Sequence, residues 1–130
     1  MICVDSDCII DFLKGKEDAV RVIGSYKEEI VTTELSVFEV YFGIYQRKNV
    51  SVDEEKAAKK FFSSLEVLPF DMDCGRIASK ILASLFREGN SINQNDALIL
   101  AIMHKHGVSN IITRNEKHFS KARGVTVISY

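Results

Sequence analysis

Apolar and polar positions follow two periods in turn along the chain. Met1 to Val4 is a short run without polar residues, the pattern of a strand buried on both faces. Asp5-Ser6-Asp7 interrupts it, and apolar positions then return at helical spacing through Cys8, Ile9, Phe12 and Leu13. Short oxygen-bearing side chains at such a corner cap helix N-termini. Glu17 to Tyr26 predicts a helix with Ala19, Val20, Val22 and Ile23 inside and Lys27, Glu28 and Glu29 at its end. Ile30-Val31-Thr32 is a short strand. Leu35 to Tyr45 predicts a helix with apolar residues on every face, hence a largely buried one, and Glu39 is the only acid inside it.

Arg47 to Val50 is a polar turn. Ser51-Val52-Asp53-Glu54 has the form of a capping box and opens a helix through Phe61 and Phe62. Glu66 to Phe70 is a third strand, and Pro69 places its end at a sheet edge. Asp71 caps a long helix carrying Ile77, Ala78, Ile81, Leu82, Leu85 and Phe86, closed by Gly89. After the polar connection from Asn90 to Asn93, Asn95 or Asn93 caps a helix running from Ala97 through Met103, which Gly107 ends. Asn110 to Thr113 and Val125 to Ile128 are the fourth and fifth strands. Strands separated by helices argue an α/β fold with a parallel sheet and right-handed crossovers. The expected architecture is a three-layer sandwich around a mostly parallel five-stranded sheet, order 3-2-1-4-5, in a single domain over residues 1–130. That order puts a topological switch point between the first and fourth strands.

Composition narrows the class of protein. Hydrophobic residues make up 46% and charged residues 27%, a globular balance with no low-complexity tract or repeat. No apolar run approaches the ~20 residues of a membrane span, and no signal-peptide pattern opens the chain. Cys3, Cys8 and Cys74 lack metal-ligand spacing and read as reduced, mostly buried thiols of a cytoplasmic protein. A formal net charge of -1 argues against a non-specific polyanion binder while permitting a local basic patch.

The acids give the chain its candidate chemistry. Asp5 ends the first strand, Glu39 lies in the first turns of the helix after the second, Asp96 opens the helix before the fourth, and Asn115 follows the fourth. The expected topology turns all of them toward one crevice at the carboxyl edge of the sheet, where open α/β folds bind ligands. Each also has a structural explanation. Asp5 or Ser6 serves as a plain N-cap, and Glu39 completes a capping box with Ser36. Asp96 complements a helix dipole, and Asn115 occupies a turn with a left-handed backbone. These explanations leave the convergence unaccounted for. Clustered carboxylates repel and persist where a divalent cation binds them, and oxygen donors without thiolate or imidazole favour Mg²⁺ or Mn²⁺. His118 near the crevice is placed to touch a phosphate but reads rather as a surface residue, His104 and His106 as complements to a helix C-terminus, and Asp7 and Asp11 as outer or exposed. Arg114, Lys117, Lys121 and Arg123 form a basic stretch that reads either as a solvated loop or as charge for a phosphate backbone.

The chain resembles the PIN-domain family of metal-dependent nucleases, in particular the small VapC-like toxins of toxin–antitoxin pairs. Four segments in the family's order carry the resemblance: Val4 to Gly15, Glu34 to Gly43, Asn95 to Ala101, and Thr113-Arg114-Asn115 with Phe119. The resemblance implies an endoribonuclease in which Mg²⁺ activates a water against an RNA phosphodiester, leaving 5′-phosphate and 3′-hydroxyl ends. It assigns Asp5 and Asp96 as direct ligands, Glu39 as ligand or as base through water, and Asn115 to a fourth position that is often Asp and sometimes Asn. It places Ser6 where the family usually has Thr or Ser. Ser6, Arg114 and Lys117 are expected to meet RNA. A small antitoxin filling the crevice and a homodimer are also implied. Two rival readings are a PIN-like RNA-binding module of weak activity and a phospho-acceptor receiver domain. For the latter Asp71 could mimic the acceptor, but the required Lys after Val127 is absent.

Overall fold

The computed structural model describes residues 1–27 and 29–130; Glu28 lies outside the described residues. Its first elements are β1 (Ile2–Val4), α1 (Ser6–Leu13), α2 (Glu17–Ser25), β2 (Ile30–Thr33), α3 (Glu34–Tyr45), α4 (Val52–Ser63) and β3 (Glu66–Leu68). They are followed by α5 (Met72–Arg87), α6 (Gln94–Lys105), β4 (Asn110–Ile112), α7 (Glu116–Phe119) and β5 (Thr126–Ile128). The five strands pair in the order β3-β2-β1-β4-β5, and every pairing is parallel.

Strand alternation divides the core between two faces. Cys3, Val31 and Ile111 point into one cluster, against Ala78 of α5 and Ile99, Ile102 and Met103 of α6. Ile2, Val4 and Ile112 point into the other, against Ile9 of α1, Ile23 of α2, Val40 of α3 and Phe61 of α4. Both faces of the sheet are covered, which is the condition that makes short, wholly apolar strands stable in a parallel sheet. The three cysteines are free and buried in these layers. Among the described residues no helix is long and apolar enough to cross a membrane.

Helix ends follow the chemistry of the sequence. Ser51 and Asp71 accept backbone N–H groups of Glu54 and Cys74. Asn93, rather than Asn95, caps α6 by accepting the Asn95 N–H. Gly89 and Gly107 take positive φ, +78° and +70°, just past α5 and α6, where a side chain would be strained.

Several expectations are corrected. The helix α3 is not largely buried. Phe38 and Phe42 are each 57% exposed, because α3 packs its Val40–Ile44 face inward and leaves Phe38, Phe42 and Tyr45 outside. Val20 is likewise exposed on α2. The third strand stops at Leu68, since Pro69 has no N–H to give the ladder and the Phe70 N–H turns to Glu34 Oε2 at 3.0 Å. The fourth strand ends at Ile112, freeing Thr113 for the site, and a short helix, α7, follows where only a loop was expected.

Candidate active site

All parallel strands deliver their C-terminal ends to one edge, and the acids sit on the turns leaving it. Asp5 caps α1: its Oδ1 accepts the Ser6 N–H at 2.8 Å, and its own N–H donates to the Ile112 carbonyl at 3.0 Å. The capping reading of Asp5 is therefore correct, and it does not exhaust the residue. The second carboxylate oxygen, Oδ2, accepts the Thr113 hydroxyl at 2.8 Å. That hydroxyl also stands 3.2 Å from Asp7 Oδ2, and it accepts the Asn115 N–H at 3.0 Å. One hydroxyl proton cannot serve two carboxylates, so Asp5 and Asp7 remain in electrostatic conflict. Burial, then the charge of Asp7, drive the Asp5 pKa to about 7; Thr113 and the Ser6 N–H resist, and Glu39 adds to the rise.

Glu39 lies in the second turn of α3. Its capping-box explanation fails, because Thr33, not Ser36, is the N-cap: the Thr33 hydroxyl accepts the Ser36 N–H at 3.1 Å. Glu39 Oε1 is buried with no hydrogen-bond partner among the described residues. A buried carboxylate oxygen left unmatched is costly and asks for a partner. Burial raises the Glu39 pKa, and the charges of Asp96 and Asp7 add to it, against the Ser6 hydroxyl and the Asn95 amide.

Asp96 sits in the first turn of α6, buried, with Oδ2 2.9 Å from His118 Nδ1. With Asp96 ionised, Nδ1 carries the proton and donates to it. Burial still moves the Asp96 pKa upward despite this partner. The mutual influences join Asp5, Asp7, Glu39 and Asp96 into one electrostatic cluster at the β1–β4 switch point.

Asn115 caps α7 at φ -86°, so the left-handed explanation is removed; its side chain is exposed and makes no capping bond. Arg114 lies closer in than expected. Its backbone N–H donates to Asp7 at 3.0 Å, and its Nε stands 3.2 Å from Asp11 Oδ2. Asp11, expected to be outer or exposed, is buried and also binds Lys16 at 3.1 Å and the Tyr130 hydroxyl at 2.7 Å. Lys117 is exposed on α7.

Sequence reasoning assigned no role to Thr113, which holds Asp5, and left His118, which holds Asp96, as a surface residue. The signals were present. Thr113 ends an apolar strand directly before the crevice, and His118 stands three residues past Asn115, nearly one helical turn.

The donors suit a hard cation. They are all carboxylate oxygens, one of them buried and unmatched, and each ionised group raises the cost of ionising its neighbours. Among the described residues no three His, Cys, Asp or Glu side chains are gathered closely enough to hold a metal ion by themselves.

A family model described as PIN domain matches residues 2–125. The chain belongs to the PIN domain family. It is 29% identical over 102 residues to ribonuclease VapC3 of Methanocaldococcus jannaschii, covering 78% of this chain and 96% of that protein. The same fold occurs in VapBC2 of Rickettsia felis, solved bound to a fragment of promoter DNA. The TM-score is 0.87 at 18% identity, over 100% of this chain and 99% of the other. It also occurs in VapC20 of Mycobacterium tuberculosis, described as a sarcin-ricin loop cleaving toxin. There the TM-score is 0.69 at 19% identity, over 85% and 87% of the two chains. In this PIN domain Asp5, Glu39 and Asp96 lie in one electrostatic cluster at the carboxyl edge of the sheet.

Proposed function

We propose that this PIN domain is a divalent-cation-dependent endoribonuclease, the toxin of a toxin–antitoxin pair. The observation that carries the reading is the unmatched buried oxygen of Glu39 among mutually raised carboxylates. Such an arrangement is disfavoured empty and favoured around a cation. The kinship with a ribonuclease over most of the chain supplies the substrate class.

Asp5 and Asp96 are the residues that hold Mg²⁺ or Mn²⁺, with Glu39 as a further ligand or as the base that takes a proton from water. A bound cation supplies positive charge against the phosphoryl oxygens. Thr113 fixes the Asp5 carboxylate, and His118 fixes that of Asp96. Ser6 and Asn95, beside Glu39, favour its ionised form, which a base requires. Arg114 and Lys117 place positive charge beside the crevice for the RNA backbone, and Asn115 completes its rim. A small antitoxin covering the crevice and a homodimeric assembly belong to the same reading, as does action in the cytoplasm.

The test is cleavage of a mixed RNA panel by wild type and by Glu39→Gln, with chelator and with Mg²⁺. Wild type should cleave only with Mg²⁺, and Glu39→Gln should cut about 10²–10⁴ times more slowly, the usual loss on removing a positioned base. RNA binding without cleavage would instead favour the weak binding module, for which Asn115 speaks. Wild-type cleavage by Glu39→Gln would remove Glu39 from the chemistry.

A further inference from the structure

We propose that a second groove, on the opposite edge of the sheet, docks an acidic, amphipathic segment of a partner polypeptide. The groove measures about 1290 Å³ and runs between α5, the C-terminal half of α6 and residues 121–125. Its wall includes Gly107, which precedes β4, and Gly124, which precedes β5. In an all-parallel sheet these positions mark the N-terminal edge, away from Asp5, Glu39 and Asp96. The groove therefore shares no residue with the acid site, and the proposal does not depend on the nuclease reading.

Two features lie side by side. The floor is apolar, with Ile77, Ile81 and Leu85 of α5 facing Met103 and Val125. Along its rim Arg76, Lys80 and Arg87 stand at i, i+4 and i+11, a single row on α5, and none of them forms an ion pair among the described residues. Like charges at that spacing repel along a helix. The far rim adds Lys121 and Arg123. Among the described residues Glu88 is the only acid in the lining, and it already stands 3.5 Å from Arg123.

Charge complementarity selects the occupant. An anionic partner gains from the cation row, and an apolar floor gains only from a partner with apolar side chains. An acidic amphipathic helix offers both and lays such a face into a groove of this kind. Among the described residues the lining contains no Phe, Tyr or Trp and only the single imidazole of His104, so the row of stacking rings expected of a single-stranded RNA site is missing. The volume exceeds the 300–1,000 Å³ range typical of small-molecule pockets. A second copy meeting this face symmetrically would bring the same cations together.

The test titrates the isotopically labelled full chain with a synthetic helical peptide, Leu at heptad core spacing and Glu elsewhere. A scrambled peptide of equal composition and a single-stranded oligouridylate serve as comparisons. The Leu/Glu peptide should move resonances of Ile81, Leu85 and Val125 and leave those of Asp5 and Glu39 in place. Affinity should fall with added salt and drop about tenfold in Lys80→Glu/Arg87→Glu, and less in Lys80→Gln/Arg87→Gln. Thermal melts should show both variants folded, as these side chains are exposed. The proposal is overturned if the peptide leaves the groove resonances unmoved, if the scrambled peptide or the charge-reversed protein binds equally well, or if oligouridylate alone occupies the groove.

Discussion

Asp5 carries two duties that pull on the same carboxylate. One oxygen ends the helix and the other meets Thr113 beside Asp7, so burial and a like charge push its pKa from the ordinary 3.8 to about 7. A raised carboxylate stabilises the fold through its protonated form. That contribution is complete below the unfolded value and is lost as pH rises through about 7. Asp11 behaves oppositely. Burial alone would raise it, but Tyr130, Lys16 and Arg114 outweigh burial and lower its pKa. Its contribution is lost only as pH falls below the ordinary carboxylate range. Between about pH 5 and about pH 8 the raised carboxylates govern, Asp5 together with Asp7, Glu39 and Asp96. In chelator, the melting temperature should fall across that window, and Asp5→Asn should flatten part of the slope, as read by circular dichroism. An equal slope in the variant would assign the titration elsewhere. At this scale the sequence was legible in residue type and order: Asp5 could be picked out as the acid ending the first strand, and Glu39 and Asp96 as acids in the early turns of two helices. The partners Thr113 and His118 were not, because hydrogen bonds across 108 and 22 positions leave no local periodicity.

Among elements, α1 and the segment after β4 depend on each other. Asp11 near the end of α1 gathers Lys16, Arg114 and the C-terminal Tyr130 around one buried carboxylate. Asp11→Ala leaves the Arg114 guanidinium without its ion pair and Tyr130 without its acceptor. It should cost about 1.5–3 kcal/mol, the scale of hydrogen bonds to a charged group. Each kcal/mol should appear as a drop of roughly 2–8 °C in melting temperature for a domain of this size. A melt unchanged within error would make the cluster a solvated one. The helix α7 supplies the cleaner probe of RNA contact, since Arg114 also serves structure while Lys117 does not enter any ion pair among the described residues. Lys117→Ala should weaken binding of any single-stranded RNA alike and reduce the salt slope by about 0.7 for the lost phosphate contact. An unchanged slope would leave α7 outside the interface. Periodicity predicted the strands and long helices well, because covered parallel strands and capped helices have strong local signatures. It misjudged α3, where apolar residues on all sides mark both a core face and an exposed aromatic face.

For the whole molecule, the sheet order turns a set of distant residues into one acidic cluster, and it leaves a basic groove at the opposite edge. The order was readable from the alternation of strands and helices in a chain of this length. The second groove was not, since it arises from the packing of α5 on α6 and on the approach to β5. The central claim is that Asp5, Glu39 and Asp96 serve one cation. Isothermal calorimetry tests it most directly, with Mn²⁺ titrated into metal-free wild type, Asp5→Asn, Glu39→Gln and Asp96→Asn. The account predicts binding to the wild type that weakens by about tenfold or more in each variant, since even partners outside the ligand shell commonly carry that much. Equal Mn²⁺ affinity in wild type and all three variants would contradict it.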